Sequence, residues 1–443
     1  MRTLSIAAAL AAVVLTSPAA RAAPQTDCRV GVYRLPGGRV IDIAPPDEGL
    51  LRWRAFDGAT GRLHPSPGGP WASTLGWTDR PDGVSVTFAP CGDDAMTFAG
   101  QPARRIPLEV TDTTFQGAGV RLAGRLVMPK GAGRVPIVVL VHGAEHDSAI
   151  QDYALQRLFP SQGIGVFVYD KRGTGASGGA YSQAFDLLAD DAVAAMREAR
   201  RLAGDRAGRV GYQGGSQGGW VVPIAAARAP VDFAIISFGL AVSVIDEDQQ
   251  QVALEMKLKR HSAADTAKAL EVADAAETVI ASGFTEGYAR FDALRAKHRD
   301  EPWYKDLHGN FTWLILPHTE AELHAMAKDY AWGTPWRYDP MPTLRATTTP
   351  QLWVLGEQDL EAPSAETSRR LKGLIADGRP ITLALYPGAE HGMTEFETKP
   401  DGERVSTRFA PAYFAMMRDF IRDGRLRGPY GRAAITRAKA SAR

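Results

Sequence analysis

The alternation of apolar and polar positions changes rhythm three times along the chain. From about Pro24 to Gly119, short apolar runs such as Val30-Gly31-Val32-Tyr33, Leu50-Leu51-Arg52-Trp53 and Gly83 to Phe88 are separated by Gly, Pro and Asp. The turn signal Arg80-Pro81-Asp82-Gly83 opens the last of them. This pattern predicts a small β-rich domain over residues 23–119. From about Val120, apolar strands alternate with helical runs: Leu122 to Met128, Pro136 to Val141, a helix over Asp152 to Gln162, Gly165 to Tyr169, a long amphipathic helix over Phe185 to Leu202, and Phe233 to Phe238. Pro136 to Val141 is apolar throughout, as a strand covered on both faces must be. Asp246 to about Trp336 then reads as helix without a buried strand, rich in Ala, Glu, Lys and Gln. Strands return at Gln351 to Leu355 and Ile381 to Tyr386, with helices at Ala365 to Ile375 and Phe409 to Ile421. The prediction is an α/β fold with a doubly wound, mostly parallel sheet over 120–240 and 341–424. A helical insertion over 241–340 interrupts it, placed to act as a lid. The stretch 425–443, basic and without an acid, reads as a disordered tail.

The ends and the composition narrow this picture. Arg2, an apolar run from Leu4 to Leu15 and Ala20-Arg21-Ala22 have the form of an export signal over residues 1–22, with an A-x-A cleavage site. That run is too short to span a bilayer, and no later stretch looks transmembrane. The expected location is periplasmic or extracellular. There an isolated pair of cysteines, Cys28 and Cys91, favours a disulfide within the N-terminal domain. A net charge of +1 gives no reason to expect a nucleic-acid partner. The oligomeric state is not readable.

Chemistry enters at Gly214-Gly215-Ser216-Gln217-Gly218. A G-x-S-x-G between an apolar strand and the helical run from Trp220 makes a turn so tight that the serine hydroxyl stands clear of the sheet. A second match, Gly175-Ala176-Ser177-Gly178-Gly179, lies several residues past its strand with no helix after it, so Ser177 reads as loop. A serine needs a histidine base, and that base needs a carboxylate to fix its tautomer. His391, in Tyr386-Pro387-Gly388-Ala389-Glu390-His391-Gly392 after the last strand, is the base candidate. Asp359, in Gly356-Glu357-Gln358-Asp359, is the acid candidate. Glu357 and Glu361 are close competitors, and Asp246, after the strand at Phe233, is the alternative placement. An oxyanion is expected to meet the N–H groups of Gln217 and of Ala144, in His142-Gly143-Ala144-Glu145. Glu145 and His146 have no partner at metal-ligand spacing, so no metal is predicted. Gly173-Thr174-Gly175-Ala176-Ser177-Gly178 fits a dinucleotide fingerprint only in letters, since no helix opens inside it. No cofactor is implied.

Taken together, His142-Gly143, Tyr169-Asp170-Lys171-Arg172-Gly173-Thr174-Gly175, Gly214 to Gly219, Gly356 to Asp359 and Gly388 to Gly392 resemble the bacterial α/β-hydrolase superfamily. The similarity is nearest to exported enzymes grouped with serine aminopeptidases and acyl esterases. It extends over about Val120 to Ile421, leaving the N-terminal domain outside. The resemblance implies an exported serine hydrolase with Ser216, His391 and Asp359 as triad, acting on a small-molecule ester or peptide. Ester cleavage is the expected reaction, because esters have better leaving groups. A peptidase, with Glu247, Asp248 or Glu255 receiving a substrate amine, is the alternative. A non-catalytic binding protein on the same scaffold is the third reading.

Overall fold

Eight antiparallel strands in the N-terminal region close on themselves. They are β1 (Gly31–Arg34), β2 (Val40–Asp47), β3 (Leu50–Ala55), β4 (Thr60–His64), β5 (Trp71–Leu75), β6 (Pro81–Phe88), β7 (Ala95–Phe98) and β8 (Gln101–Arg105). The ring shuts where Tyr33 and Arg34 pair with Arg105 and Arg104. Inside, Ile41, Ile43, Leu51, Trp53, Leu63, Val86 and Phe98 form one apolar core. Cys28 and Cys91 are joined across the rim, their Cα atoms 5.8 Å apart. These features come from a computed structural model of the chain, which describes residues 27–47 and 49–438. The export signal expected at residues 1–22 lies outside the described residues.

A nine-stranded sheet follows. Its strands are β9 (Leu108–Gln116), β10 (Arg121–Pro129), β11 (Val135–Val141), β12 (Gly165–Tyr169), β13 (Ala207–Gly215), β14 (Phe233–Ser237), β15 (Gln351–Gly356), β16 (Ile381–Tyr386) and, far downstream, β20 (Ala434–Arg437). The order across the sheet is β20-β16-β15-β14-β13-β11-β12-β10-β9. From β12 to β16 every neighbouring pair is parallel. Strand β11 shows why its sequence is apolar throughout. Ile137, Val139 and Val141 pack on one face with the helices Phe185–Ala203 and Gly218–Arg228, while Val138 and Leu140 pack on the other with Tyr413–Asp423. Each large apolar side chain buried this way contributes roughly 1.5–3 kcal/mol.

The structure corrects the expected layout at three places. The N-terminal unit ends before residue 119, because β9 pairs with β10 along its whole length and belongs to the sheet. The helix expected over Asp152 to Gln162 is instead a series of short turns, Ala149–Asp152, Leu155–Leu158 and Pro160–Gln162. The stretch from 425 is not a free tail as far as residue 438. Leu426 and Tyr430 are buried, and β20 pairs antiparallel with β16.

Two features position the site. Between β14 and β15 the chain builds a helical insertion with its own core, including Val252, Met256, Phe291, Trp303 and Ile315. After β16 come β17 (Ala389–Glu390) and a hairpin of β18 (Thr394–Thr398) and β19 (Arg404–Phe409). That hairpin docks on the barrel. Trp77 N–H donates to Ser406 O (2.8 Å), Phe409 N–H to Gly58 O (2.9 Å), and Arg80 pairs with Glu397. A Cβ at Gly76 would sit 2.5 Å from the carbonyl oxygens of Ser406 and Thr407, so only glycine permits the approach. Among the described residues no helix is long and apolar enough to cross a membrane.

Candidate active site

Ser216 sits between β13 and the helix Gly218–Arg228 with φ at 51°, a left-handed conformation that a serine adopts only under constraint. The constraint comes from both sides. Ser216 N–H is held by Ser237 O of β14 (3.1 Å), and Ser216 O by Gly219 N–H (2.7 Å). The glycine before it is obligatory, since a Cβ on Gly215 would lie 2.4 Å from the Phe238 ring. The N–H of Gln217, at the helix N-terminus, has no hydrogen-bond partner among the described residues. Ser177 is occupied elsewhere. Its hydroxyl donates to Asp170 O (2.6 Å) and accepts from Ala123 N–H (2.9 Å), which ties a loop to β10.

Asp359 and His391 come together. Asp359, in the loop after β15, is 1% exposed and accepts from Ala362 N–H (2.8 Å). Its Oδ2 lies 3.0 Å from His391 Nδ1 and its Oδ1 3.3 Å. The Phe238 ring stands edge-on to the imidazole, centroids 4.9 Å apart. On the other side Glu361 Oε1 approaches His391 Nε2 to 3.5 Å. Burial disfavours the imidazolium, but the charge and hydrogen bond of Asp359 outweigh it, and Glu361 and Glu247 add to the effect; His391 is pushed up to about 9. Glu247, from the helix Val244–Leu258, belongs to the same group. Burial foremost, then the carboxylates of Glu361, Asp359 and Asp248, hold its carboxyl well above the ordinary range. Asn310 joins the two elements, with Nδ2 donating to Glu247 Oε1 (3.3 Å) and to Glu361 O (3.0 Å).

Two of the other expected acids serve structure. Asp246 caps its own helix in a reciprocal pair with Ser243, and Asp248 caps the turn Thr312–Ile315 through Phe311 N–H and Thr312. Of the insertion aromatics, Trp303 fills the insertion core and Trp313 is half exposed. Trp332 packs edge-on to Tyr181 and His146, beside the loop that carries Ala144.

Three of the four backbone groups of Gly143 and Ala144 in that loop are pinned. Gly143 N–H donates to Glu145 Oε1 (3.3 Å) and lies 3.3 Å from the Tyr153 hydroxyl. Gly143 O accepts from Lys171 Nζ (2.8 Å), and Ala144 O from the Tyr181 hydroxyl. Ala144 N–H has no partner among the described residues. Burial works against the Glu145 carboxylate, but His142 and Tyr153 beside it hold it down at about 2. Lys171, Tyr153 and Tyr181 were not singled out from the sequence. The polar run Asp170-Lys171-Arg172 at the carboxyl end of β12 was the available signal, because sites in parallel sheets lie at that edge.

Sheet order, elbow and the Asp359–His391 contact define the class of protein: an α/β-hydrolase. Within that class, residues 118–389 match the X-Pro dipeptidyl-peptidase (S15) family, more than half of the chain, and the protein belongs to that family. It is a serine hydrolase of the peptidase and esterase kind. A search of curated proteins finds no match. Solved structures similar to it include an esterase of Pyrococcus furiosus, 15% identical over 64% of this chain and 84% of that one, with a TM-score of 0.41. A puromycin-hydrolyzing peptidase of Mycobacterium tuberculosis is 17% identical over 82% of this chain and 50% of that one (TM-score 0.40). An acylaminoacyl peptidase of Pyrococcus horikoshii is 14% identical over 79% and 52% (TM-score 0.39). The chain thus spans about half the length of these two peptidases.

Proposed function

We propose that Ser216 is the nucleophile, His391 the general base and acid, and Asp359 the group that orients His391. The observation that carries this reading is the 3.0 Å contact between Asp359 and His391 Nδ1, paired with a strained serine at the elbow. Ser216 Oγ attacks the acyl carbon as His391 Nε2 takes its proton. The tetrahedral oxyanion is held by the N–H groups of Ala144 and Gln217. His391 returns the proton to the leaving group, and water, activated by the same histidine, releases the acid.

The preferred substrate is an acyl donor bearing a free amine, a short peptide or an amino-acid derivative. Two observations support it: Glu361 and Glu247 stand beside His391, where an ammonium would relieve their mutual repulsion, and the family is described by release of dipeptides. Simple carboxylic esters are the second reading, favoured by the Tyr181, His146 and Trp332 cluster beside the oxyanion loop, an apolar surface for an acyl chain. Export is part of the proposal, supported by the Cys28–Cys91 bridge.

The test has two parts. A fluorophosphonate is expected to label Ser216, with labelling and turnover lost in Ser216→Ala. Ser177→Ala is expected to retain the label with lower stability. Specificity constants for aminoacyl and alanyl-prolyl p-nitroanilides are then compared with those for p-nitrophenyl acyl esters. Persistent labelling of Ser216→Ala overturns the mechanism. Esters preferred over every amine-bearing substrate overturn the specificity.

A further inference from the structure

Lys171 is a buried cation that the proposed chemistry does not use. Its neighbours in the sequence are explained by packing. Asp170 accepts from Ser148 Oγ (2.8 Å), Ile150 N–H (3.1 Å) and Ala176 N–H (3.0 Å). Arg172 makes a buried pair with Asp191, Nε to Oδ2 at 2.7 Å. Lys171 is 2% exposed and forms no ion pair within 4 Å among the described residues. Its ammonium lies 4.3 Å over the Tyr181 ring and donates to Gly143 O at 2.8 Å. Burying a lysine without an ionic partner is costly, and a use for the charge would account for that cost.

The acceptor identifies that use. Gly143 C=O and Ala144 N–H are the two ends of one peptide group, which is planar and trans, so they point in opposite directions. Fixing the oxygen fixes where the N–H points. Glycine at 143 leaves the neighbouring torsions free to turn this plane, so an anchor is needed. The next carbonyl, Ala144 O, is anchored by the Tyr181 hydroxyl, over whose ring Lys171 sits. A positive donor on the oxygen also polarises the amide, making its N–H a stronger donor to a developing negative charge.

Resting on the reading of Ser216 as nucleophile and Ala144 N–H as oxyanion donor, we propose that Lys171 is a positioning residue of the oxyanion hole, aiming and polarising the Gly143–Ala144 peptide through its carbonyl. The groups facing the ammonium are Glu145, whose charge favours the cation, His146, which it opposes, and the Tyr181 ring. Burial outweighs Glu145 and brings Lys171 down to about 8. The cation is therefore present below that pH and lost above it, so this contribution fades as pH rises through about 8. It opposes the rise that deprotonation of His391 brings.

The experiment uses the full-length protein and two probes: the first-order rate of fluorophosphonate labelling of Ser216, and turnover of p-nitrophenyl butyrate, each from pH 6 to 10. In the unaltered protein the labelling rate is expected to fall again above about pH 8–9 with unchanged circular dichroism. Lys171→Met is expected to slow labelling and kcat about 10–100-fold, with KM within about 3-fold, since the defect is in charge stabilisation rather than ground-state binding. Lys171→Arg, which stays charged, is expected to recover rate and to lose the alkaline fall. The proposal is overturned by a folded Lys171→Met that labels within about 3-fold of the unaltered rate, or by an alkaline fall unchanged in Lys171→Arg. If Lys171→Met does not fold, the unaltered protein decides: a rate that climbs to pH 10 without falling overturns it. A label that does not reside on Ser216 defeats the underlying reading instead, and is seen by peptide mapping of the same samples.

Discussion

At the scale of single residues, the site is organised by unequal treatment of one imidazole's two nitrogens. Asp359 holds Nδ1 from a buried position, while Glu361 faces Nε2 from the solvent side. Both carboxylates favour the imidazolium, and a protonated histidine is not a base. Activity is expected to rise with pH toward the raised value of about 9, until loss of the Lys171 cation turns it down. Glu361→Gln removes one stabilising charge, so the acidic limb of kcat/KM is expected to move to lower pH with the fold unchanged; an unmoved limb would show that Glu361 does not act on His391 in solution. Asp359→Asn is expected to reduce kcat by about 10³–10⁴-fold, because the tautomer is no longer held; near-wild-type turnover would place the acid elsewhere. The candidates Ser216, Asp359 and His391 were legible from sequence because each lies in the turn or loop after an apolar strand, and strand order fixes where such loops gather. Glu247 was legible only as one of three candidate acids. Nothing in its neighbourhood along the chain tells that it, rather than Asp248 or Glu255, shares a space with His391.

At the scale of elements, the strands that were missed lack the burial that makes a strand readable. Most of β9 is exposed and only Phe115 is fully covered, so its polar sequence resembled the barrel strands before it. The end of the chain misled for a related reason. Arg432 and Arg437 look like a solvated tail, but charged residues are what an edge strand carries to discourage further pairing. Leu426 and Tyr430 hold the approach to β20, with the Tyr430 hydroxyl donating to Asp419 (2.8 Å). Removing the chain from Ala434 onward would uncover β16, whose Ile381 and Leu383 are buried. The shortened protein is expected to unfold at lower urea concentration and to self-associate, as checked by denaturation and light scattering. Unchanged behaviour in both would mean that β20 contributes nothing to the sheet.

At the scale of the whole molecule, barrel and sheet are joined by buried charge. Asp42 of β2, fully buried, receives Arg157 from the sheet side, Nε to Oδ1 at 2.5 Å, and Arg54 from the barrel at 3.6 Å. Asp42→Ala removes the carboxylate that pairs with both guanidinium groups and is expected to lower stability by about 3–5 kcal/mol, measured as a shift in the urea midpoint. A loss below about 1 kcal/mol would show that this buried charge cluster contributes little to joining the two units. The hairpin of β18 and β19 extends this union to the chemistry, because it leaves the loop of His391 and ends on the barrel at Gly58 and Trp77. The N-terminal unit is therefore expected not to behave as a detachable module whose removal leaves the hydrolase half as before. The barrel and the histidine share a support: a change in the barrel surface at Gly76 is expected to reach the footing of the proposed base, and substitutions on either side of that contact are expected to succeed only as matched pairs.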